Sequence, residues 1–323
     1  MSFIAQVAQP PPFGAELDAA VFGVLAPWVR DEAVTDVFVN PGGAVWVDRG
    51  SGAEPVTGMR LPAAEARDLA VRLIAAGDRH VDEATPCVDV RLGRGIRVHA
   101  VLPPISPGGA VLSIRLPRAR PVHLDELDAA GFFGAIGAER VHGLVAQRAN
   151  LLITGAGGSG KTTLLGALLS AAPAGERIVV IEDVAELRID HPHVIALEAR
   201  QANLDGAGAV GLDRLVREAL RMRPDRLVVG ECRGPELREL LSALNTGHDG
   251  GAGTLHANSL ADVPSRLEAL GALAGLGPDA VARQAVSALD AVLHVERTAA
   301  GRTLGALGSL AVDRHGRLVV ESA

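Results

Sequence analysis

"NLLITGAGGSGKTTLLGAL", residues 150–168, changes character twice over a short distance. An apolar run ends at Gly155, a glycine-rich turn follows, and from Lys161 leucines recur at helical spacing as Leu164, Leu165, Leu168 and Leu169. "GAGGSGKT", Gly155–Thr162, satisfies G-x-x-x-x-G-K-[ST] in full, and strand before helix is the context this motif requires. Glycines there let successive backbone N–H groups turn inward around phosphate oxygens, helped by the positive end of the helix. Gly155, Ala156, Gly157, Gly158, Ser159, Gly160, Lys161, Thr162 and Thr163 are therefore assigned to a nucleoside triphosphate. Lys161 can reach the β- and γ-phosphates, and Thr162 can offer a hydroxyl to Mg²⁺.

On either side of this stretch, helical and strand signals alternate. Ala138–Arg148 has a helical pattern, and "RIVVIED" and "RLVVGE" are continuous apolar strands. Between them "LDRLVREALRM" puts Leu212, Leu215, Val216, Ala219 and Leu220 on one helical face. Buried strands alternating with amphipathic helices predict a parallel sheet covered on both faces. The earlier part predicts a separate mixed α/β domain. It has strands Asp36–Asn40 and Ala44–Asp48 around Pro-Gly-Gly, a helix burying Ala66, Leu69, Ala70, Leu73 and Ile74, and strands in "GIRVHAVLPP" and "AVLSIRLP". Prolines and alternating charge mark a linker between Pro117 and Leu124, so the expected domains are residues 1–118 and 119–323.

Bulk properties narrow the class. The chain has 323 residues and a formal charge of −7, which lacks the basic footprint of a nucleic-acid-sliding protein. No apolar stretch approaches the ~18 residues that would cross a bilayer. The start, "MSFIAQVAQPPPFG", lacks a basic segment followed by an apolar run, so a cytoplasmic protein with no direct membrane insertion is expected. Cys87 and Cys232 have no paired spacing and are expected to be small buried side chains.

Phosphoryl transfer also requires carboxylates near the metal and the attacking water. Glu182 and Asp183 end one apolar strand and Glu231 ends another. "TGHDGGAGTLHANS", Thr246–Ser259, holds His248 and His256 in a glycine-rich segment with Leu255 as its only long apolar residue. It reads as a flexible loop. Without a third ligand nearby zinc fits poorly, and a neutral imidazole that donates at one nitrogen and accepts at the other suits the γ-phosphate side of a nucleotide.

"GSGKTTLLGAL", "IVVIEDVAEL", "LVREALRMRPDRLVVGECRG" and "NTGHDGGAGTLHANS", in this order, resemble the successive signatures of secretion ATPases, with the Tad/Flp pilus-assembly (TadA/CpaF) type as the nearest match and type IV secretion traffic ATPases as relatives. The resemblance extends upstream through "VDEATPCVDVRLGRGIRVHAVLPPISPGGAVLSIR". It implies an α/β architecture, a RecA-like P-loop NTPase domain preceded by a smaller α/β domain. It also implies a hexameric ring on the inner face of the cell membrane, held by pilus or secretion platform proteins. The implied activity is Mg²⁺-dependent ATP hydrolysis powering assembly of a pilus or secretion apparatus. By matching position Glu182 and Asp183 form an acidic box, Glu231 is the Walker B acid, and Mg²⁺ falls to Thr162, Glu231 and Asp183. His248 and His256 belong to a histidine box, while Arg97 and Arg115 correspond to arginines that approach the terminal phosphates. Either Glu231 or Glu182 orients the water. Gly251, Ala252 and Gly253, Cys232, and His99 depart from the residues usual in the family. Two other functions fit a RecA-like fold: a nucleic-acid translocase, and a nucleotide-dependent interaction protein without turnover.

Overall fold

The computed structural model describes residues 19–322 apart from 94, 117–119, 201–207 and 299–300. The opening segment and the first part of the linker read from the sequence therefore lie outside the described residues. The chain divides into two compact units, Met1–Ala119 and Arg120–Ala323.

The first unit is built on an antiparallel sheet of six strands: β1 (Asp36–Val39), β2 (Ala44–Asp48), β3 (Ala53–Arg60), β4 (Cys87–Leu92), β5 (Ile96–Val101) and β6 (Val111–Arg115). Their order is β3-β2-β1-β6-β5-β4. Burial alternates along most of these strands, as on β1 and β5. Val37, Val39, Val98, Leu112 and Ile114 all face one core. The helix Ala63–Ala76 closes that core with the five residues its periodicity predicts, Ala66, Leu69, Ala70, Leu73 and Ile74. It stops at Gly77, where a Cβ would stand 2.5 Å from the Val90 Cβ. Hydropathy does not mark β3, an edge strand whose side chains are mostly exposed. Cys87, on the other edge, is exposed rather than buried, whereas Cys232 is buried, and both are free thiols.

The second unit has an eight-stranded sheet: β7 (Leu151–Gly155), β8 (Ile178–Glu182), β9 (Val194–Glu198), β10 (Arg226–Val229), β11 (Ala252–His256), β12 (Ala291–Thr298), β13 (Gly301–Val312) and β14 (Leu318–Ser322). The order is β14-β13-β12-β7-β11-β10-β8-β9. Pairing is parallel from β12 through β9 and antiparallel across β12-β13-β14. Every residue of β7, β8 and β10 is buried. Alternate side chains enter different cores. Leu152, Val179 and Leu227 join the helices Leu212–Leu220, Glu236–Leu244, Val263–Leu273 and Pro278–Ala288. Leu151, Ile153, Ile178 and Val228 join the helices Leu124–Ala129, Ala138–Ala146 and Lys161–Ser170. A sheet covered on both faces explains why these strands are apolar throughout.

The segment Thr246–Ser259 is not a flexible loop. Its middle, Ala252–His256, is β11, a buried strand between β7 and β10. The small residues are there because the helix Glu236–Leu244 lies almost on the strand. A Cβ on Gly251 would meet Leu244 Cδ2 at 2.4 Å and the Leu227 carbonyl oxygen at 2.8 Å, and one on Gly253 would meet Leu240 at 3.1 Å. Glycine here serves close packing rather than motion.

Candidate nucleotide site

In a parallel sheet covered by helices, side chains are free to act mainly at the carboxyl ends of the strands. β7 ends at Gly155, which has φ +150° and no room for a side chain, since a Cβ would stand 2.3 Å from the Val295 carbonyl oxygen. Gly158 (φ +69°) and Gly160 (φ +107°) turn the loop through left-handed conformations. Gly160 then begins the helix Lys161–Ser170, and no side chain caps it. Ser159 is buried, and its Oγ has no hydrogen-bond partner among the described residues. The open helix terminus and this orphaned hydroxyl fit a phosphate-bearing ligand.

Lys161 is buried and folded back on the loop. Its Nζ donates to the carbonyl oxygens of Gly155 and Ala156, both at 3.0 Å, and lies 3.2 Å from His256 Nδ1. On the other side of the imidazole, His256 Nε2 stands 2.8 Å from Glu231 Oε1. Glu231 Oε2 in turn accepts from the Arg233 guanidinium at 2.7 Å. Burial lowers the Lys161 pKa from the ordinary ammonium value, opposed by the charge of Glu231 and aided by that of Arg233. Burial, followed by the neighbouring Lys161 charge, also lowers His256 below an ordinary imidazole. A neutral ring accepts from Lys161 at Nδ1, whereas Glu231 Oε1, although 2.8 Å from Nε2, is buried without a hydrogen-bond partner among the described residues.

Glu182, at the end of β8, is buried beneath the backbone that follows β10. A Cβ on Gly230 would stand 2.6 Å from Glu182 Cγ, so glycine permits this approach. Its Oε1 accepts from the backbone N–H groups of Glu186 at 2.9 Å and Leu187 at 3.0 Å. Burial raises its pKa to about 7 despite those two hydrogen bonds. Asp183, next along, is exposed, and its charge is felt by Arg233. Thr162 and Thr163, on the first turn of the helix, are half-buried.

His248 does not join this set within the chain. It precedes β11, on the side where Ala252 pairs with Leu151, whereas His256 pairs with Gly155 at the far end of that strand. The five-residue strand alone separates the two by on the order of 15 Å. His248 Nδ1 lies 3.2 Å from the Ala243 carbonyl oxygen. Its turn is tied down by Arg148 on the Asp249 carbonyl and by Arg226 on the Gly250 carbonyl. Regular spacing in sequence conceals this separation because the intervening residues form a strand instead of a loop.

Arg97 and Arg115 belong to the first unit, where they are directly paired across β5 and β6. Arg97 Nε lies 3.5 Å from Asp89 Oδ1, and Arg115 Nε lies 3.2 Å from Asp36 Oδ1. His99 also contacts Asp89, through Nδ1 at 3.1 Å. Sequence reasoning did not single out Arg233, although it stands inside the quoted "GECRG", or Arg302, which touches the phosphate loop and sits in no motif.

The family model of the type II/IV secretion system protein matches residues 19–302. The chain belongs to that family. This chain is similar to the putative conjugal transfer protein Rv3659c of Mycobacterium tuberculosis, at 47% identity over 87% of this chain and 81% of that one. It is also similar to the probable conjugal transfer protein TrbB of Sinorhizobium fredii, at 30% identity over 98% of this chain and 95% of the other. Among solved structures, the pilus retraction motor PilT with bound ADP shares its fold, with a TM-score of 0.62 at 20% identity over 93% of this chain and 82% of that chain. The likeness to PilT shows the fold, a RecA-like P-loop domain with a smaller N-terminal domain, and the family model makes the chain a type II/IV secretion system protein.

Proposed function

We propose that this secretion ATPase hydrolyses ATP with Mg²⁺ at the carboxyl ends of β7, β8, β10 and β11, and that the chain Lys161–His256–Glu231 is the centre of the site. The observation that carries the reading is that chain itself. One imidazole lies between the phosphate-loop cation, hydrogen-bonded at 3.2 Å, and a strand-end carboxylate 2.8 Å away whose Oε1 has no hydrogen-bond partner among the described residues. Mg²⁺ prefers hard oxygen ligands and retains waters and phosphate oxygens. The Thr162 hydroxyl with Glu231 and Asp183 is therefore a suitable protein contribution.

Each residue then has a definite task. The loop amides and Lys161 neutralise charge on the phosphates. Glu182, with a pKa near neutrality, takes the proton of the attacking water, because a general base works best when its pKa lies close to the working pH. His256 reports the state of the phosphates to Glu231 by exchanging its Lys161 contact. By the family resemblance Arg97 and Arg115, held here by Asp89 and Asp36, are the arginines that add positive charge to the terminal phosphates.

The resemblance to Tad/Flp ATPases supports a hexameric ring held peripherally at the cytoplasmic face of the membrane by platform proteins of a pilus or secretion machine. No helix among the described residues is long and apolar enough to cross a membrane. The relatives named for conjugal transfer support a machine of the secretion class. Phosphate release by the full chain, with and without a chelator, tests the enzymatic reading. Wild-type protein should turn over only with Mg²⁺, and Lys161→Ala should reduce the rate a hundred- to a thousandfold, about 3–4 kcal/mol of barrier, with its fold intact. Equal rates in a folded Lys161→Ala protein would remove the assignment.

A further inference from the structure

The rim of the phosphate loop is completed by a residue far away in sequence. Arg302, near the start of β13, donates from Nε to the carbonyl oxygen of Gly158 at 3.1 Å. Its Cδ lies 3.2 Å from where a Cβ on Gly160 would stand. The arginine therefore crosses the stretch between the two left-handed glycines. The backbone beyond it is fixed: Thr303 Oγ1 and Leu304 N both donate to the Phe132 carbonyl oxygen, at 2.9 and 2.7 Å.

Electrostatics gives this placement a purpose. The helix that starts at Lys161 presents its positive end to the loop, and cations are disfavoured there. Lys161 already supplies one charge, and Arg302 brings a second to the same few residues. Both are best accommodated when polyphosphate lies among them. We propose that Arg302 is a positioning residue for the nucleotide, holding Gly158–Gly160 in the turn that opens the helix Lys161–Ser170 and adding a second cation to Lys161. The inference rests on the reading of Gly155–Thr163 as the nucleotide site.

The role separates from ordinary structural support by where the effect appears. With full-length protein, Arg302→Ala should weaken ADP binding about tenfold by calorimetry and raise KM for ATP by a similar factor, with a smaller fall in kcat. Its melting temperature without nucleotide should change little, while the shift produced by ADP should shrink. Arg302→Lys retains the charge without the guanidinium donor and should recover part of the affinity. ADP binding by Arg302→Ala within twofold of wild type would overturn the proposal. So would a melting temperature lowered equally with and without ADP, which is the mark of a purely structural contact. Failure of wild-type protein to bind ADP would remove the phosphate-site reading and this inference together. Binding by wild type and Arg302→Ala alike would remove the Arg302 role alone.

Discussion

The two sheets place their chemistry differently. In the first unit one face of an antiparallel sheet packs on the helix Ala63–Ala76, and every second residue is left for other work. The opposite face carries Arg97 beside Arg115, with Asp89, His99 and Asp36 around them. In the second unit both faces are sealed by helices, so polar groups act from strand ends and the turns after them. Lys161, Glu182, Glu231 and His256 all obey that rule. An arginine halfway along a strand is thus natural in the first sheet and would be a buried charge in the second. Arg226, the first residue of β10, is buried and is matched by Glu176 at 2.5 Å together with two backbone carbonyls.

Consecutive truncations put this contrast to its hardest test. Leu152→Ala and Ile153→Ala enter opposite cores of the sealed sheet, and each should cost about 2–5 kcal/mol in urea unfolding. In the one-sided sheet Leu112→Ala should cost as much, but its neighbour Ser113→Ala should stay within about 0.5 kcal/mol. Similar losses at Leu112 and Ser113 would mean that the outer face of the first sheet is also packed.

The next effect belongs to a sealed strand end. Glu182 is raised from 4.5 to about 7. Between those values the folded chain keeps a proton that the unfolded chain has released, so its contribution favours folding below pH 4.5 and is lost as pH rises through 7. The loss should be roughly 3 kcal/mol, and Glu182→Gln should flatten it. Turnover should move in the opposite sense and rise through about pH 7 as the base ionises. A stability profile that is the same in Glu182→Gln would show that the carboxylate is solvated.

The open face should give the smallest change. Arg115→Ala should lower turnover roughly tenfold, about 1.4 kcal/mol, while leaving ADP affinity close to wild type. Unchanged turnover in Arg115→Ala would leave Arg115 as a partner of Asp36 only.

What could be read from the sequence follows the same division. β7, β8 and β10 announce themselves because a sealed parallel strand is apolar at every position. β11 hides because its neighbour helix comes so close that glycine and alanine replace bulky residues, and composition then imitates a loop. β3 and β9 hide for another reason, being edge strands with exposed or half-exposed side chains. At the site, Gly155–Thr162 and the two strand-end acids are legible as local motifs. The contacts of Arg302 with Gly158 and of His256 with Glu231 are not, because they depend on how strands distant in sequence are ordered in the sheet.

That order also sets a timetable for synthesis. All strands of the first sheet lie between residues 36 and 115, so it can close as soon as they emerge from the ribosome. Thr154 must wait for His294, 140 residues later, before β7 has neighbours on both sides. At roughly 5–20 residues per second this interval is on the order of ten seconds. Throughout it the phosphate loop hangs from an apolar segment with an unpaired edge, so nascent chains halted in that window should be the ones that aggregate.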